Sequence, residues 1–100
     1  MTGVSIDTEP CADGRGEVVR VTGELDLDTA DQLGQALDDC HGVVVVDLAQ
    51  VSFMDSSGLG TLIRARNRLI AEGGSLSVGE VADNVRRLFE VTGLTDFLSN

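Results

Sequence analysis

The chain has 100 residues, a formal net charge of −10 at pH 7 and no lysine, because all seven of its basic residues are arginine. A hydrophobic fraction of 42% fits one globular domain, and its core must be mostly aliphatic because Phe supplies all three aromatic residues. The acidity excludes a nucleic-acid-binding surface and an anionic membrane surface, which both need clustered basic side chains. The absence of lysine excludes a Walker-type phosphate loop and Schiff-base chemistry.

The chain also shows no signal for export or membrane insertion. No window approaches the roughly 20 apolar residues of a membrane span, and Met1–Val4 does not begin a charged segment followed by an apolar one. Cys11 and Cys40 are not in a metal-binding or redox spacing. We therefore expect a cytoplasmic protein without metal or cofactor, in which two reduced thiols are favoured over a Cys11–Cys40 disulfide.

The first half of the chain predicts a hairpin followed by a helix. Val4–Thr8 and Glu17–Thr22 are candidate strands joined by a turn at Asp13–Gly16. A helix capped by Asp28 or Thr29 then runs to about His41-Gly42. Its apolar face is formed by Ala30, Leu33, Leu37 and Cys40.

The second half alternates strands with helices. The unbroken apolar run of Val43–Leu48 predicts a central strand covered on both faces. A helix begins at Ser56 or Ser57 and stops at Gly73-Gly74. Its apolar face is Leu59, Leu62, Ile63, Leu69 and Ile70, and Arg64, Arg66 and Arg68 are expected on a solvated face.

Ser75–Val78 is a further strand, and Val81, Val85, Leu88 and Phe89 mark a last helix. Gly93-Leu94 should end that helix in a Schellman-like turn. Thr95–Asn100 is expected to add no more than a fragment. The predicted fold is a single α/β domain with a mixed four-stranded sheet, in which the first strand is antiparallel and the helices pack against the sheet.

Right-handed crossovers place the carboxyl ends of the parallel strands at one edge of the sheet. Gly23–Asp26 and Asp55–Gly58 should therefore emerge side by side, at the edge where sites form in open α/β sheets. His41 enters at the opposite edge, about 20 Å away along a six-residue strand. No base can then activate Ser56 for hydrolysis, and we expect no enzymatic activity.

Phe53–Gly60, with the sequence Phe-Met-Asp-Ser-Ser-Gly-Leu-Gly, closely resembles the motif of the STAS-domain anti-sigma-factor antagonists. Three further segments resemble that family in the same order along the chain: Thr22–Asp26, Gly73–Leu76, and Val85–Phe89 with Gly93-Leu94. Together they cover nearly the whole chain from Val18 to Phe97.

The resemblance implies a switch protein and not an enzyme. In that family the unphosphorylated protein binds an anti-sigma factor that is also a serine kinase, which frees the sigma factor; phosphorylation ends the binding and a phosphatase restores it. The resemblance places the phosphorylated serine at Ser56, with Ser57 as the alternative acceptor. Partner contacts are expected at the matching positions Glu24, Asp26, Asp55, Ser56, Ser57, Gly58 and Leu59.

Several alternatives remain open at the level of sequence. Ser56 and Ser57 could serve only as helix caps, and Asp55 could bind a metal with Glu24 and Asp26, although turn and capping roles are favoured. A STAS domain could instead be an unphosphorylated scaffold subunit of a transport or stress-signalling assembly. A nucleotide-binding or weakly hydrolytic domain is a third possibility, against which the absence of lysine and the position of His41 weigh. The family usually continues into a final helix after the Gly-Leu segment, and this helix is expected to be absent here or cut off at Asn100.

Overall fold

The computed structural model describes residues 3–11, 14 and 16–98. Asp13 and Arg15 of the predicted turn, and the end of the predicted C-terminal fragment at Asn100, lie outside these residues. The strands are β1 (Val4–Pro10), β2 (Gly16–Leu25), β3 (Val43–Met54) and β4 (Ser75–Val81). The helices are α1 (Ala30–Asp38), α2 (Ser56–Ala71) and α3 (Asp83–Val91), and a 3₁₀ turn follows at Thr95–Phe97.

The four strands form one sheet in the order β1-β2-β3-β4. β1 is antiparallel to β2, and the β2–β3 and β3–β4 pairs are parallel. This arrangement confirms the predicted mixed sheet. The parallel pairs follow from the helical crossovers α1 and α2, which return the chain to the same edge before each new strand.

β2 and β3 are longer than their sequence patterns indicated. β2 was expected to end at Thr22 and β3 at Leu48, but their pairing continues to Leu25 and Met54 after register shifts between Arg20 and Thr22 and between Gly23 and Glu24. Such irregularities interrupt the regular alternation of apolar side chains. For that reason the sequence pattern ended before the strands did.

The core lies between the sheet and its helices. α1 packs against β1 and β2, and α2 packs against β3 and β4. The predicted inner face of α1 is confirmed, since Ala30, Leu33, Leu37 and Cys40 are all buried. On α2, Ile70 is 53% exposed, so its assignment to the apolar face was wrong.

The expectation that Val43–Leu48 is covered on both faces was also wrong. Val44, Val46 and Leu48 are buried, whereas Val43 is exposed and Val45 is half-buried. The helices therefore cover one set of β3 side chains, and the alternate set lies on a partly solvated sheet face.

The two cysteines are free thiols. Cys40 is buried at the end of α1, where its Sγ donates to the carbonyl of Ala36 at 3.4 Å. Burial raises the pKa of the Cys40 thiol to about 11. The thiol is therefore protonated at neutral pH and a poor nucleophile.

The C-terminal segment contributes more to the fold than the predicted fragment. Phe97 is 1% exposed, and its ring centroid lies 5.9 Å from that of Phe89. Leu98 forms a parallel bridge with Val78 of β4. This segment closes the apolar core at the β4 edge.

Two of the three α2 arginines have structural partners, which corrects the expectation of a solvated arginine face. The Arg66 guanidinium lies 4.5 Å from the centre of the Phe97 ring and donates to Asp96 at 2.8 Å. Arg68 Nη2 donates to the carbonyls of Leu37 at 2.7 Å and Cys40 at 3.1 Å, at the end of α1. Arg66 thus joins the C-terminal segment to α2, and Arg68 joins α2 to the end of α1.

Candidate partner-binding site

The carboxyl ends of β2 and β3 meet as the sequence predicted. The backbone N–H of Asp55 donates to the carbonyl of Leu25 at 3.1 Å. This bond joins the segment Gly23–Asp26 directly to the start of α2. His41 lies at the other end of the strands, where its backbone N–H donates to Glu17 and its Nδ1 lies 3.2 Å from Glu72 Oε1.

α2 begins at Ser56, and Asp55 is its N-cap. The Asp55 Oδ1 atom accepts a hydrogen bond from the backbone N–H of Ser57 at 2.8 Å. The carboxylate satisfies one of the four N–H groups that a helix leaves free at its start, and its charge is favourable beside the positive end of the helix dipole. The predicted capping role of Asp55 is confirmed.

The two serines of the motif differ in exposure. Ser56, at the first helical position, is exposed, whereas Ser57 is half-buried. The carbonyl of Ser57 accepts a hydrogen bond from the Oγ1 of the buried Thr61 at 3.1 Å. Ser56 is therefore the more accessible of the two serines.

The loop from Glu24 to Thr29 is held by its own hydrogen bonds. Asp26 Oδ1 accepts from the backbone N–H groups of Asp28 at 3.0 Å and Thr29 at 3.1 Å. The buried Thr29 hydroxyl donates to the carbonyl of Glu24 at 2.6 Å and accepts from the backbone N–H of Asp26 at 2.9 Å. This network makes the loop a rigid neighbour of Ser56.

The same network corrects the predicted cap of α1. Thr29 occupies the N-cap position but makes no capping hydrogen bond with its side chain. The Asp26 carboxylate accepts instead from the backbone N–H groups of Asp28 and Thr29, which precede the first helical residue, Ala30. Asp26 therefore stabilises the loop, and it is also one of the partner contacts expected from the sequence.

Gly58 and Leu59 lie beneath this surface. Both are buried, and a Cβ atom placed on Gly58 would lie 2.9 Å from Met54 Cγ and 3.0 Å from Leu25 Cβ. The glycine therefore lets the first turn of α2 approach the ends of β2 and β3 closely. Among the predicted contact residues these two support the surface, whereas Ser56 is exposed and Glu24, Asp26, Asp55 and Ser57 are partly exposed.

Leu27 belongs to this surface and was missed by sequence reasoning. Its side chain is 77% exposed, and it lines a groove of about 240 Å³ together with Ser56 and Ser57. The sequence did contain a signal for its exposure. Leu27 lies between Asp26 and Asp28, in a segment without the apolar period of a strand or a helix. Leu27 thus adds an exposed apolar side chain to the acidic edge beside Ser56.

No group of three or more His, Cys, Asp or Glu side chains suited to a metal ion occurs among the described residues. Within the same part of the chain, no helix is long and apolar enough to cross a membrane. The edge around Ser56 therefore combines a helix start, a rigid acidic loop and one exposed leucine.

A family model described as "Mlab, STAS domain" matches residues 11–99, which is most of the chain. The chain belongs to the STAS domain family. A protein of Listeria monocytogenes named anti-sigma-B factor antagonist is 39% identical over 82 residues, which are 78% of this chain and 72% of that protein. The resemblance of Phe53–Gly60 and its accompanying segments to this family is thereby confirmed.

Solved structures agree with this family membership. An anti-sigma factor antagonist from Mycobacterium paratuberculosis superposes with a TM-score of 0.80 at 31% identity, covering 96% of this chain and 83% of that one. The anti-sigma factor antagonist SpoIIAA in its unphosphorylated form gives a TM-score of 0.77 at 25% identity, covering 94% and 85%. The STAS fold of this chain is thus shared with proteins of that regulatory class.

Proposed function

We propose that this STAS domain is an anti-sigma-factor antagonist that works in the cytoplasm, and that Ser56 is its phosphorylation switch. In this proposal the unphosphorylated chain binds an anti-sigma factor with serine kinase activity and so frees a sigma factor. Phosphorylation of Ser56 ends the binding, and a serine phosphatase restores it. The observation that carries the proposal is the exposed Ser56 hydroxyl at the first position of α2, at the edge where β2 and β3 meet.

The exposure of the two serines supports Ser56 as the acceptor. A kinase must bring its nucleotide close to a free hydroxyl, and Ser56 is exposed. Ser57 is half-buried, and its backbone N–H and carbonyl are both hydrogen-bonded within α2 and its cap. Ser57 is therefore the less accessible of the two acceptors.

The chemistry of the edge indicates what kind of partner it fits. Glu24, Asp28 and Asp55 give it negative charge, and Leu27 projects from the middle of it. A complementary partner surface would carry basic side chains around a small apolar pocket. A phosphoryl group on Ser56 adds about −1.5 to −2 charges. In a closed interface the partner would have to make room for this group, and the added charge would lose its hydration.

The switch can be tested by affinity capture from the source organism with four baits: wild type, Ser56→Ala, Ser56→Glu and Ser57→Glu. We expect wild type and Ser56→Ala to retain an ATP-binding kinase that Ser56→Glu loses. The captured kinase should phosphorylate wild type on addition of ATP and leave Ser56→Ala unmodified. Ser57→Glu controls for the addition of a negative charge one residue away from the acceptor.

A different result would favour the scaffold function. If all four baits hold the same partners, or if the partners are transport or envelope proteins, Ser56 is not a switch. If the captured kinase phosphorylates the Ser56→Ala variant at Ser57, the acceptor is Ser57 and not Ser56. Each outcome is read by mass spectrometry of the bound proteins and of the bait itself.

A further inference from the structure

The groove beside Ser56 contains an arginine. One wall is formed by Leu27, Ala30 and Asp31, and the other by α2 residues from Ser56 to Arg64. Its volume is about 240 Å³, which leaves room for a phosphoryl group. Arg64 is the one cationic residue among those that line this groove.

The Arg64 side chain runs along α2 toward the serines. Its Nη2 donates to Thr61 Oγ1 at 3.3 Å, and a Cβ placed on Gly60 would lie 3.4 Å from its Nη1. Helical side chains tilt toward the N-terminus of their helix, which is the direction of Ser56. Since Gly60 is four residues after Ser56, the guanidinium lies about 6 Å along the helix axis from the start of α2.

The glycine at position 60 makes this path possible. A larger side chain there would occupy the helix surface over which the guanidinium lies. Ser56, Gly60 and Arg64 follow one another at four-residue spacing, which places them along one ridge of α2, and all three line the groove. The Arg64 side chain can therefore extend over Gly60 toward the serine pair.

Arg64 differs from the other arginines of this region in having no carboxylate partner. Arg66 pairs with Asp96 and Arg68 with Glu72, whereas Arg64 makes no ion pair within the part of the chain that the structure describes. Its hydrogen bond to Thr61 is long, at 3.3 Å, and the acceptor is an uncharged hydroxyl. In a chain of net charge −10, this guanidinium is thus free to bind another anion.

We propose that Arg64 is the internal counter-ion of phosphorylated Ser56: its guanidinium moves from Thr61 to the phosphoryl oxygens and holds the phosphate against the groove between α1 and α2. The inference rests on the proposed function in one respect, that Ser56 is the modified residue. Guanidinium–phosphate pairs are among the stronger charge-assisted hydrogen bonds in proteins. The pair would fix the phosphate over the surface beside Leu27 and stabilise its dianionic form.

The test uses the full chain with phosphoserine incorporated genetically at position 56, so no kinase is needed. The second pKa of a phosphoserine is ordinarily about 6, and ³¹P NMR measures it directly in a pH titration. We expect the value in the otherwise wild-type chain to lie at least about half a unit below that of Arg64→Gln, because a nearby cation favours the dianion. Arg87→Gln, which removes the same charge from the exposed face of α3, should leave it unchanged.

A second variant tests whether charge at this position is responsible. Arg64→Lys keeps a cation on a flexible stem and should restore most of the difference from Arg64→Gln. Equal pKa values in wild type and Arg64→Gln, an equal shift in Arg87→Gln, or an Arg64→Lys value identical to that of Arg64→Gln would each overturn the proposal.

The two proposals can fail separately. Because the phosphoserine is incorporated during synthesis, the titration reports on the Arg64 pair whether or not a kinase recognises the chain. If affinity capture shows no effect of Ser56→Glu, the proposal that Ser56 is a switch is rejected, and the titration still reports on the Arg64–phosphate pair. If the titration shows no role for Arg64, the counter-ion fails and the switch result stands.

Discussion

The Asp55 carboxylate accepts the backbone N–H of Ser57 at 2.8 Å and thereby fixes where α2 begins. The residue between them, Ser56, is left at the first position of the helix with its side chain exposed. The aspartate of the motif thus positions the serine without contacting the serine hydroxyl. Asp55 therefore determines the position of Ser56, the residue that we propose is phosphorylated.

The cap gives a direct stability prediction. Asp55→Ala should lower the free energy of unfolding by about 1 kcal/mol, since it leaves a backbone N–H of α2 unsatisfied. Asp55→Asn keeps an acceptor oxygen and should cost less than half as much. Urea denaturation followed by circular dichroism measures both. Equal losses in the two variants would mean that charge, and not the hydrogen bond, is the main contribution.

Gly58 and Gly60 form a matched pair within α2. Alanine at position 58 would place a Cβ 2.9 Å from Met54 Cγ and 3.0 Å from Leu25 Cβ, whereas at position 60 it would meet only Arg64 Nη1, at 3.4 Å. Gly58→Ala should destabilise the fold by about 1–2 kcal/mol, because overpacking exceeds the gain in helix propensity.

Gly60→Ala should be neutral or stabilising by up to about 1 kcal/mol, since the end of a flexible arginine can move aside. Thermal unfolding of both variants provides the comparison. A destabilised Gly60→Ala together with an unaffected Gly58→Ala would contradict the close packing of the first turn.

The Arg68 contacts with the end of α1 should be measurable. Arg68→Met keeps the apolar stem and removes the hydrogen bonds to the carbonyls of Leu37 and Cys40 together with the ion pair to Glu72. We expect a loss of roughly 1–2 kcal/mol in the free energy of unfolding, within the range for hydrogen bonds to a charged group. Arg87→Met on α3 is the control and should change stability little. Similar values for the two variants would show that Arg68 behaves as an ordinary surface arginine.

Asp96 should contribute to the acid sensitivity of the fold. The hydrogen bond from Arg66 lowers the pKa of the Asp96 carboxyl, and the positive charge of Arg66 acts in the same direction. A carboxyl whose pKa is lower in the folded chain than in the unfolded chain stabilises the fold when the pH is above the unfolded-state pKa. This contribution is lost as the pH falls through the folded-state pKa.

The urea midpoint of Asp96→Asn should therefore lie below that of wild type at neutral pH and converge with it in acid. Glu90→Gln is the matched control, because Glu90 is exposed and makes no ion pair within the described residues. Its midpoint should stay parallel to that of wild type at all pH values. A constant difference between Asp96→Asn and wild type across the titration would remove the electrostatic explanation.

A negative charge at Ser56 should act locally. Ser56→Glu is expected to shift the amide NMR signals of the start of α2 and of the loop Asp26–Thr29, and to leave β1 and α3 unchanged. The reason is that Ser56 is exposed and supports no core contact, so a charge there has nothing to repack. Shifts spread over the whole domain would show a conformational switch in place of a blocked surface.

Much of the fold could be predicted because its signals are local. The apolar period of α1, the glycines after α2 and α3, and the aspartate before Ser56 each act within a few residues. The rule for right-handed crossovers then placed Gly23–Asp26 beside Asp55–Gly58, as the bond between Asp55 and Leu25 confirms. The order of the elements, the meeting of these two segments at one edge of the sheet and the start of a helix at Ser56 or Ser57 were therefore contained in the sequence.

Other features were decided only when distant segments met. Arg68 binds α1 from about thirty residues away, and Phe97 enters the core beside Phe89 because the chain returns to β4 at Leu98. Likewise, the exposure of Leu27 and the direction of Arg64 depend on how α1 and α2 pack against each other. Local sequence specifies backbone conformation through hydrogen bonds and steric preference over a few residues. The partner of a long side chain depends instead on which surfaces the completed fold brings within its reach.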